Sequence, residues 1–338
     1  MTANTADNAR NILLTGGSGS VGMNVCQKLL SEGCHVILLA RHPLKEAQTA
    51  ELCSAGGRLS VVLGDVTEER TVKDTIVKYA ITDIIHAAAI TPGAESDLTQ
   101  ARTTIEVNCI GTISVLNAAM AGQIPGRFLM LGSISAYGRA ALTNDVLVEG
   151  QTTADPQVIY EISKFAAERI FLRYRQTGGI RGCVVRIGDV YGPWEHYSGV
   201  RPHMSLPYQA AALAQRGEAA YYPRNYSGEW IYGPELAEAV YGLLTAPELH
   251  YDVYPLSSGN RWKISEWCDL LQERFPAFRH GMASGGAPVN MCINQATDNG
   301  AMSSQRIRED TGFVSTFGLK ESFDDYMRWI DRHPNYVK

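Results

Sequence analysis

The stretch NILLTGGSGSVG, residues 11–22, decides the fold of this 338-residue chain. Its first five residues form an apolar run of β-strand length, which is followed by a glycine-rich turn and a helical pattern. In a turn between a strand and a helix, Gly16 permits the tight bend, Gly19 lets the backbone approach a pyrophosphate, and Gly22 lets helix and strand pack closely. The free N–H groups of the helix N-terminus then face the phosphates. The sequence therefore predicts a dinucleotide-binding loop made of Gly16, Ser18, Gly19, Ser20, Val21 and Gly22.

Further apolar runs of strand length follow, and helical patterns separate them. These runs are HVILLA (35–40), LSVVL (59–63), DIIHA (83–87), FLML (128–131) and GCVVRI (182–187). Runs that are apolar throughout and alternate with helices are typical of a parallel sheet covered on both faces. We predict an α/β fold with a Rossmann-type, doubly wound parallel sheet over residues 1–192. It includes a long helix from Gln157 to Arg175, with Asp155 as its N-cap and Pro156 at its first position.

The composition changes after residue 192, where aromatic residues, proline and glycine become dense. Helical patterns occur near 203–216, 234–245, 264–274, 303–310 and 319–331, and short strand-like runs occur near 219–223, 229–232 and 252–256. This mixture predicts a smaller α+β lobe over residues 193–338 that binds the substrate, with some segments returning to the first domain.

The overall composition excludes several classes of protein. With 30 Lys+Arg against 35 Asp+Glu and no basic block, the chain lacks the surface that binds nucleic acid. The apolar runs are strand-sized, so we expect no membrane span. The seven cysteines are odd in number and lack metal-ligand spacing, which argues against a metal site or a disulfide framework. Residues 1–10 lack the pattern of a secretory signal, so we expect a cytoplasmic protein.

The end of the second strand bears on the choice of cofactor. Enzymes that use NAD commonly carry an acid there for the ribose 2′-hydroxyl, whereas this chain has Arg41. A guanidinium can pair with a 2′-phosphate through its planar fork. A solvated arginine at the start of a helix is the alternative. We expect NADP in preference to NAD.

The ends of the third and fourth strands supply further cofactor candidates. Asp65 and Val66 follow the third strand, where the Asp65 carboxylate can accept from the adenine amino group or can belong to the N-cap region of the next helix. Ala87 and Ala88 follow the fourth strand, and their small side chains let a cofactor lie against the backbone. His86 is expected to be a packed, hydrogen-bonded side chain rather than a catalytic group.

Tyr160 and Lys164 stand four residues apart in the long helix and so share one face. A tyrosine with a pKa near its usual value of about 10 is a poor base at neutral pH. A neighbouring ammonium and the positive charge of an oxidised nicotinamide lower that pKa. The tyrosine can then exchange the proton of a substrate hydroxyl while hydride moves at its carbon. Ser133, at the end of the fifth strand, can hold the same oxygen, and Ser135 and Tyr137 are the alternatives to it.

With these motifs in place, the chain resembles the extended short-chain dehydrogenase/reductase family, also called the NAD-dependent epimerase/dehydratase family. The matching segments are TGGSGSVG, GDV, HAAA, VNCIGT, GSISAYG, YEISK and RIGDVYGP. The resemblance places Ser133 rather than Ser135 at the catalytic position. It places Asn108 at the family's structural helix asparagine, and we count Asn108 among the residues expected at the cofactor site. It implies a nicotinamide cofactor, anchored in part by Tyr160 and Lys164. It also implies hydride transfer at a carbinol carbon and a homodimer.

The departures from the family bear on the substrate. Asp189 stands where the family has an asparagine, while Gly228 and Asn299, or a residue near it, stand where nucleotide-sugar members carry arginines. The loss of two cations disfavours a diphosphate substrate, because a desolvated phosphate needs charge-assisted partners. Arg224 or Arg306 can substitute for them.

The segment after the family's VYGP motif offers substrate contacts of its own. Arg201 is the candidate to clamp a carboxylate or phosphate, and Glu195 and His196 can bond to hydroxyls. Thr91 follows HAAA-Ile and is expected to face the pocket. A rigid loop with solvated charges is the alternative for these residues.

We therefore expect an NAD(P)-dependent oxidoreductase that acts on the hydroxyl or carbonyl carbon of a small sugar-like or hydroxy-acid substrate. The alternative is a nucleotide-sugar epimerase or dehydratase with tightly bound NAD, in which the hydride leaves and returns within one turnover. A non-enzymatic protein that only senses or binds the dinucleotide is a third reading, and the intact Ser133, Tyr160 and Lys164 set argues against it.

Overall fold

Strands and helices alternate through the first half of the chain, as the apolar pattern predicts. The computed structural model describes residues 10–197, 201–284, 288–293, 297–334 and 336–337. The strands are β1 (Asn11–Thr15), β2 (His35–Ala40), β3 (Arg58–Leu63), β4 (Asp83–His86), β5 (Phe128–Ser133), β6 (Val146–Leu147), β7 (Gly182–Ile187), β8 (Asp189–Tyr191), β9 (Ala220–Tyr222), β10 (Ser227–Tyr232), β11 (Val253–Leu256), β12 (Arg261–Lys263), β13 (His280–Met282) and β14 (Ala301–Met302). The helices are α1 (Ser20–Ser31), α2 (Glu46–Cys53), α3 (Glu69–Lys78), α4 (Ala101–Ile105), α5 (Gly111–Gly122), α6 (Ala140–Thr143), α7 (Ile159–Gly178), α8 (Leu206–Gln215), α9 (Gly233–Thr245), α10 (Ile264–Arg274), α11 (Gln305–Thr311) and α12 (Leu319–Arg332). A π-helical segment joins α4 to α5 (Glu106–Ile110), and a 3₁₀ segment follows β5 (Ile134–Tyr137).

The main sheet is parallel, with the strand order β11-β7-β5-β4-β1-β2-β3. Its central strands are buried on both faces by two hydrophobic clusters, which confirms the predicted doubly wound α/β fold. The order reverses between β1 and β4. Ligands of such sheets bind outside the carboxyl ends of the strands at this point, where the glycine loop lies against Ala87 and Ala88.

A smaller lobe is built from residues that follow β7. Its sheet has the order β12-β10-β8, and α10 and α12 pack against each other beside it. The stacked rings of Trp262 and Trp267 and the edge of Tyr191 form its aromatic centre. The helices α8 to α12 lie within three residues of their predicted bounds. Not all of this part stays in the lobe, because β11 joins the main sheet and α9 packs against α1. The division at residue 192 stays a prediction.

The start of the long helix differs from the prediction. Helix α7 begins at Ile159 with Val158 as its N-cap, so the assignment of Asp155 and Pro156 to its first turn is wrong. The Asp155 carboxylate instead pairs with Arg139 at 2.7 Å, on the loop before the helix. Because Asp155 is already bound there, it is not available to cap α7.

The continuous helical stretch Ala101–Gly122 is long and apolar enough to cross a membrane by length and composition alone. The expectation that all apolar runs are strand-sized is therefore wrong for this stretch. Half of this stretch is buried inside the protein. Core helices of globular proteins have the same length and composition, so this feature does not assign the chain to a membrane.

Candidate functional site

The glycine loop is shaped by its own close contacts. Gly16 has a φ of +67°, and a Cβ built on it would lie 2.5 Å from the Ala88 nitrogen. A Cβ on Gly22 would lie 2.3 Å from the Gly16 carbonyl oxygen. Both contacts are with backbone, which cannot move aside easily. These two glycines are therefore required by the packing of the loop against β4 and against α1.

Gly19 is different, because the space around it is open. A Cβ there would meet only the Gly16 oxygen, at an ordinary 3.5 Å. Gly19 is the N-cap of α1, and as a glycine it has no side chain that could accept from the first-turn amides of Ser20, Val21 and Gly22. These N–H groups have no acceptor within the helix. The open backbone and the unpaired donors fit the pyrophosphate of a dinucleotide, and half-buried Ser18 borders the same turn.

Of the residues predicted to contact the cofactor at the ends of β2 and β3, some are exposed and others bond or pack within the protein. Arg41 is exposed beyond β2. The Asp65 oxygen Oδ1 accepts from the backbone nitrogen and the hydroxyl of Thr67, at 2.9 and 2.7 Å, and so shapes the turn before α3. The N-cap of α3 is Glu68 rather than Asp65. The Val66 side chain is buried against Gly111, so only the backbone of Val66 is available for the predicted cofactor contact.

His86 is a buried structural histidine, which confirms the expectation. Its Nδ1 lies 2.7 Å from the Thr15 hydroxyl, and its Nε2 lies 3.0 Å from the Thr112 hydroxyl. Burial, together with the charge of Lys164, lowers the pKa of His86 from 6.5 to about 3. The ring is therefore neutral in the folded protein at any pH near neutrality.

This lowered pKa predicts a loss of stability in mild acid. Below pH 6.5 the unfolded chain takes up a proton on His86 that the folded protein does not, so the free energy of unfolding falls as the pH drops. Between pH 6.5 and pH 5 we expect a loss of about 1.5 kcal/mol that the variant His86→Gln lacks. Urea unfolding of both proteins across this range measures the difference.

The control is His250→Gln. Asp310 raises the pKa of the exposed His250, so this histidine stabilises the folded state at low pH and the sign of its contribution is opposite. Parallel curves for wild type and His86→Gln would contradict the assignment of a neutral, buried His86.

The reacting centre brings α7 against the end of β5. Lys164 is buried, and its Nζ donates to the Leu131 carbonyl of β5 at 2.9 Å. Two residues further, Ser133 ends the strand, and its Oγ accepts from the Ser135 nitrogen at 3.1 Å. The 3₁₀ segment that begins there packs against α7, on whose first turn the half-buried Tyr160 lies. The structure therefore gathers Ser133, Tyr160 and Lys164 at one edge of the sheet.

The prediction that Tyr137 could replace Ser133 in holding the substrate oxygen is wrong. Its ring is fully buried, and its hydroxyl donates to Glu149 at 3.0 Å. Burial raises the pKa of Tyr137, and its hydroxyl is bound away from any substrate. Ser135 remains half-buried beside Ser133.

Asp97 is a site residue that the sequence analysis missed. Its carboxylate accepts from the backbone nitrogens of Ile159 and Tyr160, at 3.1 and 3.4 Å. A carboxylate at a helix N-terminus is favourable because it meets the free amides and the positive end of the helix dipole. Asp97 thus fixes the turn that carries Tyr160. No local pattern announces this contact, because the residues lie 62 and 63 positions apart.

Asn108 is a structural link rather than a direct cofactor ligand. It is buried in the π-helical segment, where its Oδ1 accepts from the Ile90 nitrogen at 2.9 Å. Its Nδ2 donates to the Ile90 carbonyl at 3.1 Å and to the Ser163 hydroxyl at 2.9 Å. Both amide hydrogens are used inside the protein, which agrees with the structural role that the resemblance implies and leaves no side-chain donor for the cofactor. Asn108 instead holds the loop after β4, which carries the half-buried Thr91, against α7.

Two of the expected substrate residues are occupied by structure. The buried Glu195 carboxylate accepts from the Ser205 nitrogen and hydroxyl, at 2.5 and 2.6 Å, and so supports the start of α8. Burial raises the pKa of Glu195. The Nδ1 of His196 lies 2.9 Å from the Trp194 carbonyl, and its ring packs edge-on against Tyr336. The expectation that Glu195 binds a substrate hydroxyl is therefore wrong. For His196 the same expectation is wrong for the Nδ1 atom, which is bonded to Trp194.

Arg201 remains the available cation of this segment. It is half-exposed, and its Nη1 lies 3.3 Å from Glu195. Because the bonds to Ser205 hold Glu195, this ion pair restrains Arg201 beside Glu195. The role of Arg201 as a clamp for an anionic group of a substrate stays a prediction.

The positions expected for diphosphate ligands contain aromatic and acidic groups. A Cβ on Gly228 would lie 2.7 Å from the Tyr226 ring and 3.2 Å from the Trp230 ring, so these rings fill the space of a longer side chain. The Tyr226 hydroxyl donates to Asp189 at 2.6 Å, and Asn299 lies 3.5 Å from that hydroxyl. Burial raises the pKa of Asp189.

The proposed substitute arginines are engaged with the protein. Arg306 donates to the Val253 and Glu149 carbonyls, at 3.0 and 2.9 Å. Arg224 pairs with Asp298 at 2.5 Å and donates to the Thr297 carbonyl at 2.8 Å. Neither arginine is positioned as a free replacement for the two missing cations.

The described residues contain no group of three His, Cys, Asp or Glu side chains that could hold a metal ion. Each of the seven cysteines carries a free thiol. Burial raises the pKa of Cys26 to about 12, so this thiol is protonated and inert at neutral pH.

Comparison with known proteins agrees with this geometry. The model of the NAD dependent epimerase/dehydratase family matches residues 12–256. A probable UDP-glucuronate 4-epimerase of Rhizobium meliloti is 25% identical over 350 aligned positions, covering 95% of this chain and 97% of that protein. The structure of UDP-glucose 4-epimerase from Thermotoga maritima, solved with UDP-glucose, has a TM-score of 0.77 and 17% identity, covering 96% of this chain and 100% of that chain. The dTDP-glucose 4,6-dehydratase of Bacillus anthracis, solved with NAD, has a TM-score of 0.78 and 16% identity, covering 97% and 98%.

The family match spans well over half of the chain and includes the glycine loop, Ser133, Tyr160 and Lys164. The protein is thus an enzyme of nicotinamide-dependent hydride chemistry, and the chain belongs to the NAD-dependent epimerase/dehydratase family.

Proposed function

We propose that this enzyme oxidises a secondary hydroxyl of a sugar-type substrate and returns the hydride within the same turnover, as a nucleotide-sugar 4-epimerase does. The observation that carries this proposal is the Lys164 ammonium, which is held at the end of β5 by the Leu131 carbonyl, beside Ser133. The Rhizobium meliloti and Thermotoga maritima relatives, both named as 4-epimerases, support it.

Each residue of the reacting centre has a defined task in this reaction. The bound dinucleotide would be held by the glycine loop and would supply the hydride acceptor. The Tyr160 phenolate takes the proton of the substrate hydroxyl and becomes a hydroxyl, which gives the proton back to the substrate oxygen when the hydride returns. Ser133 donates to the reacting oxygen and orients it, and Lys164 stabilises the tyrosine oxygen when it is charged.

Epimerisation fits the site better than dehydration. Elimination of water needs an acid that protonates the leaving hydroxyl. The carboxylates that adjoin the reacting elements are already bound, since Asp97 accepts from the first turn of α7 and Glu149 accepts from Tyr137. Neither is placed to serve as that acid.

The test is incubation of the purified enzyme with UDP-glucose and with UDP-glucuronic acid, followed by NMR of the sugar protons. We expect the C4 epimer to form with no net production of NADH. Conversion that consumes one added NAD or NADP per turnover would contradict the return of the hydride.

A net oxidoreductase acting on a sugar or hydroxy acid without a diphosphate is the second candidate. The rings at Gly228 favour it, because they fill the space that a longer, cationic side chain would need in order to reach a diphosphate. A screen of free sugars and hydroxy acids with NAD or NADP, read by absorbance of the reduced nicotinamide, distinguishes it from the epimerase.

We propose NAD as the resident cofactor, supported by the NAD named with the Bacillus anthracis structure. Arg41 still predicts that NADP also binds well. We expect Arg41→Ala to weaken binding of NADPH about tenfold and of NADH less than about twofold, because only NADPH has the 2′-phosphate. Fluorescence titration measures both affinities, with Arg58→Ala, at the exposed start of β3, as the control. An equal loss for both cofactors would exclude a role for Arg41 in selecting the 2′-phosphate.

We also propose a cytoplasmic homodimer. Exposed apolar side chains on the helices beside the reacting centre, Ile110 and Ile162, support an association through these helices. Sedimentation equilibrium of the wild type and of an Ile162→Glu variant tests it, and a monomeric wild type would contradict it.

A further inference from the structure

A buried ionic network surrounds Arg186 on β7. Its guanidinium donates through Nε and Nη2 to the two oxygens of Glu168, at 2.8 and 2.6 Å. Nη1 donates to Glu149, and the guanidinium carbon lies 4.3 Å from the centre of the Tyr137 ring. The Tyr137 hydroxyl donates to the same Glu149 oxygen. We call these four side chains the Arg186 network.

The network joins the two elements that carry the reacting centre. Glu168 lies on α7, four residues after Lys164, and so on the same face one turn along. Tyr137 is the last residue of the 3₁₀ segment that Ser133 caps. Arg186 itself pairs in register with Gly132, the residue before Ser133. One guanidinium therefore bonds to the catalytic helix and contacts the segment that starts at the catalytic serine.

Stability alone does not require these charges. The Arg186 and Glu168 side chains are 4% and 2% exposed. Burying such a pair costs desolvation energy, and apolar side chains of similar volume often serve equally well or better. A two-pronged bond between a guanidinium and a carboxylate, however, permits only one relative geometry. The network is thus suited to fixing a geometry rather than to adding stability.

We infer that Arg186 is a positioning residue that sets the place of Lys164 on α7 relative to the Ser133 segment. The inference rests on the proposed function, since it assumes that Lys164 contributes to binding of the nicotinamide cofactor. It assigns a role in cofactor binding and turnover to the buried Arg186 and Glu168 and to the half-buried Glu149.

The test separates position from stability. The triple variant Arg186→Met, Glu168→Leu, Glu149→Gln removes the buried charges together and leaves an acceptor for the Tyr137 hydroxyl. We expect it to fold with a thermal midpoint close to that of the wild type. We expect its NADH dissociation constant, measured by fluorescence titration, to rise about tenfold, since the bond from Glu168 of α7 to Arg186 no longer fixes the helix that carries Lys164 relative to the Ser133 segment.

A double-mutant cycle with Lys164→Ala shows whether the effect passes through the lysine. We expect Lys164→Ala alone to weaken NADH about tenfold, and the triple variant to add less than about twofold in that background. Arg186→Lys, which keeps the charge but loses the fork, serves as the second variant if the triple variant does not fold, and we expect it to follow the same pattern. Arg175→Met is the matched control, because it breaks an ion pair of α7 with Asp252 at the far end of the helix.

Two outcomes overturn the inference while leaving the proposed function in place. One is wild-type affinity for NADH in the folded triple variant or in Arg186→Lys. The other is an effect that adds fully to that of Lys164→Ala, as a general structural change would. An unchanged affinity in Lys164→Ala alone would instead contradict the role of Lys164 in the proposed function, and the inference with it.

Discussion

We expect the variant Tyr160→Phe to lower kcat by about 10³-fold, within the range found for a positioned acid–base group. Phenylalanine keeps the ring on the first turn of α7 and removes only the hydroxyl that exchanges the substrate proton. The cofactor loop is unaffected, so we expect the affinity for NADH to change little. The measurement is turnover of the sugar substrate that the screen identifies, together with an NADH titration.

The control for this variant is Tyr174→Phe on the same helix. The Tyr174 hydroxyl donates to Asn117 at 2.8 Å and lies more than three turns from Tyr160 along α7. We expect its kcat to equal that of the wild type. Unchanged turnover in Tyr160→Phe would exclude this residue as the acid–base group.

We expect Gly19→Ala to weaken NADH binding about 100-fold, equivalent to about 2.7 kcal/mol of binding free energy, while the protein remains stable. The structure has room for the added Cβ, which would meet only the Gly16 oxygen at 3.5 Å. That Cβ would, however, occupy the side from which the pyrophosphate must approach. Thermal unfolding and NADH titration of the same preparation measure the two effects.

Two further glycines make this prediction specific. We expect Gly22→Ala to lose both stability and cofactor binding, because its Cβ would lie 2.3 Å from the Gly16 carbonyl oxygen. We expect Gly281→Ala to change neither, because a Cβ there meets nothing within 4 Å. If Gly19→Ala bound NADH like the wild type, the pyrophosphate could not lie against this backbone.

Local patterns were sufficient for much of the fold and for the cofactor loop. The strand–turn–helix of residues 11–22 depends on apolar periodicity and on glycines whose roles follow from short-range geometry. Lys164 and Tyr160 share one helix face for the same reason. These features are encoded within a few residues, so they can be read without knowledge of distant contacts.

Tertiary contacts that no local sequence pattern specifies account for the errors. Asp97 accepts from the backbone nitrogen of Ile159, 62 positions away, at the start of α7. The side-chain amide of Asn108 is hydrogen-bonded to Ile90 and Ser163. Glu195 follows the VYGP motif, where a substrate contact was expected, but its carboxylate is buried and hydrogen-bonded to Ser205. No spacing rule predicts which polar side chain will satisfy which buried group.

One signal for the Arg186 network was present in the sequence. Arg186 is a charge inside the otherwise apolar run GCVVRI, and a charge in a buried strand needs a partner. The partner itself, Glu168 on α7, could be identified only from the packed structure.

The measurement that tests the central claim most directly is the identity of the dinucleotide released when freshly purified enzyme is denatured. An enzyme that returns the hydride in each turnover has no need to exchange its cofactor. Mass spectrometry should therefore find NAD, at about one molecule per chain. An empty site, or NADP in place of NAD, would contradict the proposed epimerase and favour an oxidoreductase that exchanges its cofactor.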